Sequence, residues 1–570
     1  AAFAERVLGE CRRLRILATS REPLGITGEA LWQVEPLALP DASPGEIESS
    51  PAIRLLRDRV GAVRKDLGGD ARTVSAMARI CRALDGMPLA IELAAARVRT
   101  MTIEQLANRL DDRFRLLTSG SRTALPRHKT LRAVIDWSWD LLTEAERMVL
   151  RRLSVFSGGA SLEAAERVCV AHTSEQSAVE QDEVLELLTS LAEKSLLRTE
   201  GDGAQDSAPD GALRYRMLGT IKEYAADRLT EAGESDPARQ AHLGYFTELT
   251  ESAEPHLRRA EQLAWLARLE ADHDNISAAM RGAIAAGHAQ AAMRLAAATG
   301  WYWWVSGRRS EGFELIVAAT NIPGEVTDEV RAMVYALVVN FVTSGRGDGH
   351  EAAEWIHQAY RLNQRSQQGN PLLALVTPLE RMLQDPGASV SAWESVLDNE
   401  DPWVAALARL QLGKMQSMLG QGGRDAEANL EMALAEFRAL GERFGISFAL
   451  SELAEQIATR GEFAGACEYY EQAVAVVTEV GSTEDVIRLW TRLALMYWLK
   501  GDQDASAAAI AEAERCADGV TWPHALVELA LAKAELARWG GSAEEARHQL
   551  DVATTFLGDD AEVANIRAEL

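Results

Sequence analysis

The stretch Leu84-Asp85-Gly86-Met87-Pro88-Leu89-Ala90-Ile91-Glu92-Leu93-Ala94-Ala95-Ala96-Arg97 decides how the first part of the chain is interpreted. Its first residues are turn formers, while the alanine- and leucine-rich run behind them favours a helix. Proline is well tolerated at the first helical position, because the N–H that it lacks would have no partner there. The stretch therefore predicts a turn that opens directly into a helix beginning near Pro88.

Further upstream, Ile16-Leu17-Ala18-Thr19-Ser20-Arg21-Glu22 predicts a short apolar strand that places Arg21 at its end. Residues 14–19 and 31–37 are predicted to form two strands, separated by a turn. A guanidinium at a strand end can donate several hydrogen bonds in a fixed geometry to a phosphate group. The alternative is a surface arginine in a strand-to-loop turn.

Together, these stretches resemble the second half of the nucleotide-binding module of STAND regulators, which are signal-transduction ATPases of the NB-ARC type. The string from Leu84 to Arg99 closely resembles the AfsR-like subgroup of bacterial transcription factors. The resemblance implies that Arg21 senses the γ-phosphate of ATP. It also implies that Pro88 packs against the adenine base, while Gly86 keeps that approach open.

The first half of such a module is not found in the sequence. There is no G-x-x-x-x-G-K-[ST] loop, which would cradle the phosphates, and no strand ending in paired carboxylates before Arg21. We therefore expect the chain to be the C-terminal fragment of a longer regulator. ATP or ADP is the expected cofactor of that parent, and neither nucleotide is expected to bind tightly to the fragment.

Residues 130–232 predict helices followed by a β-hairpin, the pattern of a winged helix. Thr143-x-x-Glu146 is a capping-box signature, which predicts a helix from Glu144 to Leu153. The other elements are helices over 130–142, 162–168, 184–193 and 220–231, and strands over 195–199 and 213–218. Many STAND relatives carry a Met-His-Asp motif at the end of this domain, whereas residues 215–219 here are Tyr-Arg-Met-Leu-Gly.

Net charge argues against DNA binding by these residues. The chain carries −26 overall, yet residues 1–135 hold 22 basic and 16 acidic residues, so the remainder holds 37 basic and 69 acidic. The candidate recognition helix, residues 182–194, has four acidic residues and one lysine. Because phosphate backbones attract cationic surfaces, we expect DNA contact only through a further, upstream domain.

The C-terminal half repeats with a period of 40 residues. Alanine occupies positions 433, 473, 513 and 553, and glycine occupies 461, 501 and 541. Small residues at fixed places let neighbouring helices pack closely, which is typical of a solenoid of tetratricopeptide-like helical hairpins. The cluster Trp301-Tyr302-Trp303-Trp304 is predicted to pack in a core, with a ligand cage as the alternative.

The predicted fold is mainly α: a remnant of a P-loop α/β domain, a helical bundle, a winged helix and an α-solenoid. The predicted domains are residues 1–40 (α/β remnant), 41–128 (helical bundle), 129–235 (winged helix), 236–329 (helical linker region) and 330–570 (repeats). Five scattered cysteines indicate free thiols in a reducing cytoplasm, and no apolar run is long enough for a membrane span.

The sequence predicts the regulatory and sensor part of an ATP-dependent transcriptional regulator, whose repeats receive a protein partner or a small signal. Self-association is expected in the active state. The alternative is a tetratricopeptide-like interaction adaptor that binds no nucleotide. No catalytic constellation or metal-ligand spacing is found, so the sequence supports no active site or metal site in these residues.

Overall fold

A computed structural model describes residues 2–11, 14–18, 24–32, 34–39, 50–61, 71–98, 101–108, 131–170, 179–200, 213–341, 349–365, 370–420, 423–518 and 520–557. The chain divides into two compact units, Ala1–Tyr245 (unit 1) and Phe246–Leu570 (unit 2). Arg21, one of the predicted site residues, lies outside the described residues.

The start of unit 1 contains one helix, α1 (Ala2–Glu10), and no strand within the described residues up to 39. The prediction of strands over 14–19 and 31–37 was therefore wrong for the described parts of both segments. Leu17 is 99% exposed and Trp32 is 89% exposed. An apolar, β-branched run becomes a strand only when a neighbouring strand pairs with its backbone, and no described segment pairs with these.

The predicted helical bundle is present in the described residues as four helices. They are α2 (Pro51–Gly61), α3 (Ala71–Ala83), α4 (Pro88–Arg97) and α5 (Ile103–Ala107). Ile53, Leu56 and Val60 lie on one buried face of α2, because residues three and four apart share a helix face. They join one apolar core with buried residues of α3 and α4, including Ile80 and Ile91.

The winged helix is confirmed. Its elements are α6 (Leu131–Asp140), α7 (Glu144–Leu153), β1 (Ala160–Ser161), α8 (Leu162–Cys169), α9 (Val184–Glu193), β2 (Arg198–Glu200), β3 (Arg214–Arg216) and α10 (Gly219–Glu231). The capping box of α7 forms as predicted, with Thr143 and Glu146 each satisfying the other's backbone N–H. The hairpin β2–β3 is antiparallel, and β1, which was not predicted, adds a third strand beside β3.

The regular elements in the described residues of unit 2 are all helices. The helix α11 (Ser235–Ala253) contains the boundary between the two units. The α-helices that follow it, before the four regular hairpins, are α12 (Gln262–Ala271), α13 (His273–Ala285), α14 (Ala289–Val305), α15 (Arg309–Thr320), α16 (Asp328–Phe341), α17 (Gly349–Asn363), α18 (Val376–Gln384) and α19 (Ser389–Glu394). Helices α16 and α17 pack against each other as a hairpin at the start of the predicted repeat region, residues 330–570.

Four helical hairpins follow. They are α20 (Pro402–Met418) with α21 (Gly423–Leu440), α22 (Arg443–Ala458) with α23 (Phe463–Val480), α24 (Thr483–Lys500) with α25 (Gln503–Ala517), and α26 (Pro523–Trp539) with α27 (Ala543–Leu557). The predicted 40-residue period is confirmed, because the four repeated alanines are fully buried. The repeated glycines all have positive φ, a backbone conformation that other residues rarely adopt.

Candidate functional site

The turn before α4 is held by the chain's own backbone. Asp85 and Gly86 both have positive φ, 53° and 63°. The Leu37 N–H donates to the Gly86 carbonyl oxygen at 3.0 Å, and a Cβ built on Gly86 would overlap the Leu37 carbonyl. Glycine is therefore required at 86 both for its φ and for the close approach of residue 37. The Leu37 carbonyl occupies the space that a side chain at residue 86 would fill, and the role of Gly86 beside an adenine base stays a prediction.

Pro88 lies beside Gly86 but faces a different environment. It is the first residue of α4, follows an extended Met87, and is exposed. The Pro88 ring is exposed to solvent, while Gly86 is buried beneath Leu37. Two of the three predicted site residues, Gly86 and Pro88, therefore differ in exposure although they are separated by one residue.

Asp85 links this turn to the winged helix, a role that sequence reasoning missed. The Thr220 N–H, at the start of α10, donates to Asp85 Oδ2 at 3.0 Å. The Thr220 hydroxyl lies 3.3 Å from Met87 Sδ, and Thr220 is fully buried. The N-cap of α10 is Leu218, which cannot cap a helix with its side chain. Asp85 therefore supplies the capping carboxylate from elsewhere in the chain, where a negative charge also complements the helix dipole.

A second contact joins α6 to α10. The Tyr224 hydroxyl donates to Asp136 Oδ1 at 2.6 Å, and the Tyr224 ring packs edge-on against Trp139 with centroids 5.7 Å apart. Burial and the Asp136 carboxylate raise the pKa of Tyr224 well above its ordinary value. The hydroxyl donates this hydrogen bond in its protonated form and links α10 to α6.

The wing of the winged helix uses its arginines internally. Arg216 forms an ion pair with Glu200 at 3.0 Å, and Arg198 forms an ion pair with Glu35. Arg214 is buried and donates to the Gly159 carbonyl at 3.2 Å. A DNA-reading wing needs cations that are available to phosphates. These three arginines are instead engaged within unit 1.

The predicted recognition helix, α9, contains no lysine or arginine between its first and last residues. Its exposed side chains include Leu185 and Glu186. Lys194, which follows the helix, donates to Glu146 Oε1 at 2.6 Å. Its charge therefore neutralises the buried Glu146, whose pKa stays below its usual value because this contact and others outweigh the effect of burial. The surface of α9 thus presents acidic and apolar groups.

Unit 2 contains a cavity of about 420 Å³ with aromatic walls. Trp301 and Trp304, from the predicted tryptophan cluster, contribute to its lining, together with Trp403, Phe444, Phe448 and Trp522. Core packing is confirmed for the cluster, since all four of its members are buried. Trp301 packs edge-on against Trp403 and Phe444, with centroid distances of 5.4 and 5.7 Å. Trp301 and Trp304 therefore pack in the core and also line the cavity.

Charged groups line another part of the same cavity. Arg309 lies 2.5 Å from Asp485 Oδ2, and its guanidinium stacks 4.3 Å from the centre of the Trp304 ring. Burial alone would raise the pKa of Asp485, but the Arg309 and Arg488 charges outweigh it and hold that pKa below its usual value. Lys414 pairs with Glu452 at 2.8 Å.

No group of His, Cys, Asp and Glu in the described part of the chain could hold a metal ion. Among the described helices, none is long and apolar enough to cross a membrane.

Known proteins match different parts of the chain. Residues 142–230 match the winged helix-turn-helix domain family. The Mycobacterium tuberculosis protein named "Putative HTH-type transcriptional regulator Rv0890c" is 39% identical over 312 residues, which are 55% of this chain and 33% of that protein. The uncharacterized protein Rv0894 of the same species is 37% identical over 236 residues, which are 41% of this chain and 55% of that protein. The chain thus spans about a third of the first relative and about half of the second.

Among solved structures, a STAND protein with a tetratricopeptide repeat sensor from Pyrococcus horikoshii overlaps 88% of this chain and 71% of its own, with 13% identity and a TM-score of 0.36. A Rap protein complexed with competence and sporulation factor overlaps 56% of this chain, with 14% identity and a TM-score of 0.37. Both scores are too low to establish a shared fold.

Proposed function

We propose that these residues form the regulatory and sensor part of an ATP-dependent transcriptional regulator of the STAND type. The observation that carries the proposal is the hydrogen bond from the Thr220 N–H to Asp85, which ties the winged helix to the turn before Pro88. The similarity to a mycobacterial protein named as a transcriptional regulator supports the regulatory role. The helical repeats are the part that receives a signal or a protein partner.

In this proposal, the turn and the winged helix form one switchable contact. A ligand shifts a conformational equilibrium only when it binds one state better than the other. A nucleotide base seated on Pro88 would lie next to Asp85, whose carboxylate caps α10. The nucleotide state of a longer protein would then favour or oppose the docked position of α10. The state in which α10 is undocked from the turn would self-associate.

The described residues fit a nucleotide only in part. Pro88 offers an apolar edge to the base, while the face of Gly86 is covered by Leu37. Most phosphate binding in such modules comes from backbone amides of a glycine-rich loop. We therefore propose that ATP or ADP binds a longer parent protein through Arg21, Gly86 and Pro88 together with a phosphate-binding loop, and that these residues alone bind it weakly.

Transcript profiling in the native host tests the regulatory role. Asp85→Asn weakens the cap of α10, so we expect a defined set of transcripts to change. Asp58→Asn is the matched control, because Asp58 is exposed on α2 and forms an ion pair with its neighbour Arg59, far from the cap of α10 in sequence. Deletion of the whole reading frame with no change in any transcript would overturn the proposal.

The second candidate is an interaction adaptor that binds no nucleotide. The contact between Leu37 and Gly86 favours it, because the chain's own backbone occupies the space that the glycine leaves. Nucleotide analysis of the full-length protein purified from its host separates the two candidates. The regulator should retain or rebind ADP with at least micromolar affinity, whereas the adaptor should bind neither ADP nor ATP.

A further inference from the structure

Residues 259–310, which we call the strap, contact the residues that begin the repeat helices. Arg259 donates to Asp401 Oδ2 at 2.8 Å, and Asp401 is the N-cap of α20. Gln262 Nε2 donates to Glu442 Oε1 at 2.5 Å, and Glu442 is the N-cap of α22. Gln262 and Glu442 are both fully buried. The strap is therefore joined to the first helix of the first and second hairpins.

The strap is joined to the third hairpin at the start of α24. Arg309, the first residue of α15, lies 2.5 Å from Asp485 Oδ2. Ser482, the N-cap of α24, donates its hydroxyl to the same oxygen at 2.7 Å. A Cβ built on Gly307 would lie 3.2 Å from Ser482 Cα, and Gly307 has a positive φ of 72°. Glycine at 307 thus lets the turn before α15 approach the start of α24 closely.

The contact to the third hairpin depends on one guanidinium. The side chains of Arg309, Glu484 and Asp485 are 8%, 5% and 7% exposed, and Arg309 Nη1 lies 3.4 Å from Glu484 Oε2. Arg488 lies 3.7 Å from the other oxygen of Asp485, which is beyond hydrogen-bond distance. Removing one member of a buried ion pair is strongly unfavourable, because the remaining charge loses its closest compensating group. Arg309 therefore decides whether the strap stays on α24.

The four hairpins meet the strap through different chemistry. Trp301 packs edge-on against Trp403 of the first hairpin and Phe444 of the second. Just before the fourth hairpin, the Thr521 hydroxyl donates to the Ser310 hydroxyl at 3.3 Å. An aromatic contact is spread over many atoms, whereas an ion pair or a single hydrogen bond depends on two groups. The strap can thus separate from α24 while aromatic packing keeps it on the first two hairpins.

Two cavities adjoin the contact between Arg309 and Asp485. Both of these residues line the cavity of about 420 Å³ described above. Gly307 and Thr483 line a second cavity of about 670 Å³, and Glu484 lines both. A close-packed interior resists displacement, whereas a region with fewer packed neighbours opens locally at lower cost. The space beside the contact therefore favours local opening.

We propose that Arg309 and Asp485 form a latch, which joins the strap to the third hairpin and opens while the hairpins stay folded. A ligand that binds the open form better than the closed form would release the strap from α24. This regulatory use rests on the proposed role of the repeats as the receiver of a signal. The opening itself is a property of unit 2 and does not depend on that role.

Thiol labelling of the purified chain measures the opening. Ser482 is 1% exposed beside Gly307, so Ser482→Cys places a thiol that reacts when the latch opens. Cys467, which is 1% exposed in α23 of the second hairpin, is the native control thiol and reacts when that hairpin unfolds. Cys11→Ser and Cys516→Ser remove the two more accessible thiols. Mass spectrometry of peptides separates the labelled positions, and the rates report open populations when closing is faster than labelling.

Two arginine substitutions test the latch in this background. Before either is made, position 482 should react at least about tenfold faster than Cys467, since local opening costs less than unfolding. Arg309→Met should raise the rate at 482 at least about tenfold further and leave Cys467 unchanged, because the buried carboxylates lose their closest cation. Arg308→Met is the matched control, since Arg308 donates to Glu270 Oε2 of α12 at 3.1 Å, within the strap. It should leave both rates unchanged.

Equal rates at 482 and Cys467 before the arginine substitutions would overturn the inference, because the contact would then open only with unfolding. Arg309→Met would also overturn it by accelerating both thiols alike, by leaving position 482 unchanged, or by matching the effect of Arg308→Met. The host experiments are independent of these rates. A working latch in a chain whose deletion changes no transcript would reject only the regulatory role, and altered transcripts without local opening would reject only the latch.

Discussion

Replacing Ala473 with leucine places three additional carbon atoms inside the repeat array. Ala473 lies in α23, has no exposed surface, and its carbonyl accepts a hydrogen bond from the Ser447 hydroxyl of α22 at 3.5 Å. Because interiors are close-packed, such overpacking costs roughly 1–3 kcal/mol. With an m-value of about 3 kcal/mol/M in urea, the unfolding midpoint of unit 2 should fall by about 0.3–1 M. Circular dichroism during urea titration measures this shift.

The matched control is the same substitution two positions along the helix. Ala475 is exposed, so Ala475→Leu should change the free energy of unfolding by less than about 0.5 kcal/mol. Limited proteolysis should leave the winged helix protected in both variants, since a hairpin contacts mainly its neighbours. Equal midpoint shifts at 473 and 475 would show that the reasoning about the repeat is wrong.

Three further predictions concern nucleotide, DNA and pH. Calorimetry should detect no micromolar ATP binding by residues 1–570, because the sequence contains no G-x-x-x-x-G-K-[ST] loop to bind the phosphates; micromolar affinity would contradict this. A gel shift at physiological salt should show no sequence-specific DNA complex, because the wing arginines are paired internally, and a persistent complex with one duplex would refute it. The hydrogen bond from His273 lowers the pKa of Glu311 from 4.5 to about 2. Ionised Glu311 therefore stabilises unit 2 above pH 4.5, and this contribution is lost as the pH falls towards 2. Urea titrations should show that Glu311→Gln destabilises unit 2 at neutral pH and has little effect near pH 2, and equal effects at both would contradict the assignment.

Local signals in the sequence determined most of the secondary structure. The Thr143-x-x-Glu146 capping box fixed the start of α7, because both of its hydrogen bonds join residues three apart. Pro88 and the alanine-rich run behind it fixed the start of α4. The 40-residue period located the four hairpins, since each repeat buries its alanine against an adjacent helix. These features depend on neighbours in the chain, and a sequence displays such neighbours directly.

The same local reasoning failed over the described parts of residues 14–19 and 31–37. Their apolar patterns are typical of strands, but a strand exists only where a partner accepts and donates its backbone hydrogen bonds. Residue 37 instead donates its N–H to Gly86, which is a single contact and not a ladder. The identity of a pairing partner is a property of the folded chain, so the pattern alone could not supply it.

Tertiary structure alone decided the contacts that matter most for the proposed function. Asp85 caps α10 although the two are 135 residues apart in sequence. The sequence near Thr220 does not identify Asp85 as the partner, although a leucine at the N-cap position, Leu218, indicates that the helix needs a cap from elsewhere. Arg309 and Asp485 likewise form an ion pair although they are 176 residues apart in sequence. Helix periodicity fixes which face of each helix is buried, whereas the packing of whole helices fixes which faces meet, and that depends on the three-dimensional path of the chain.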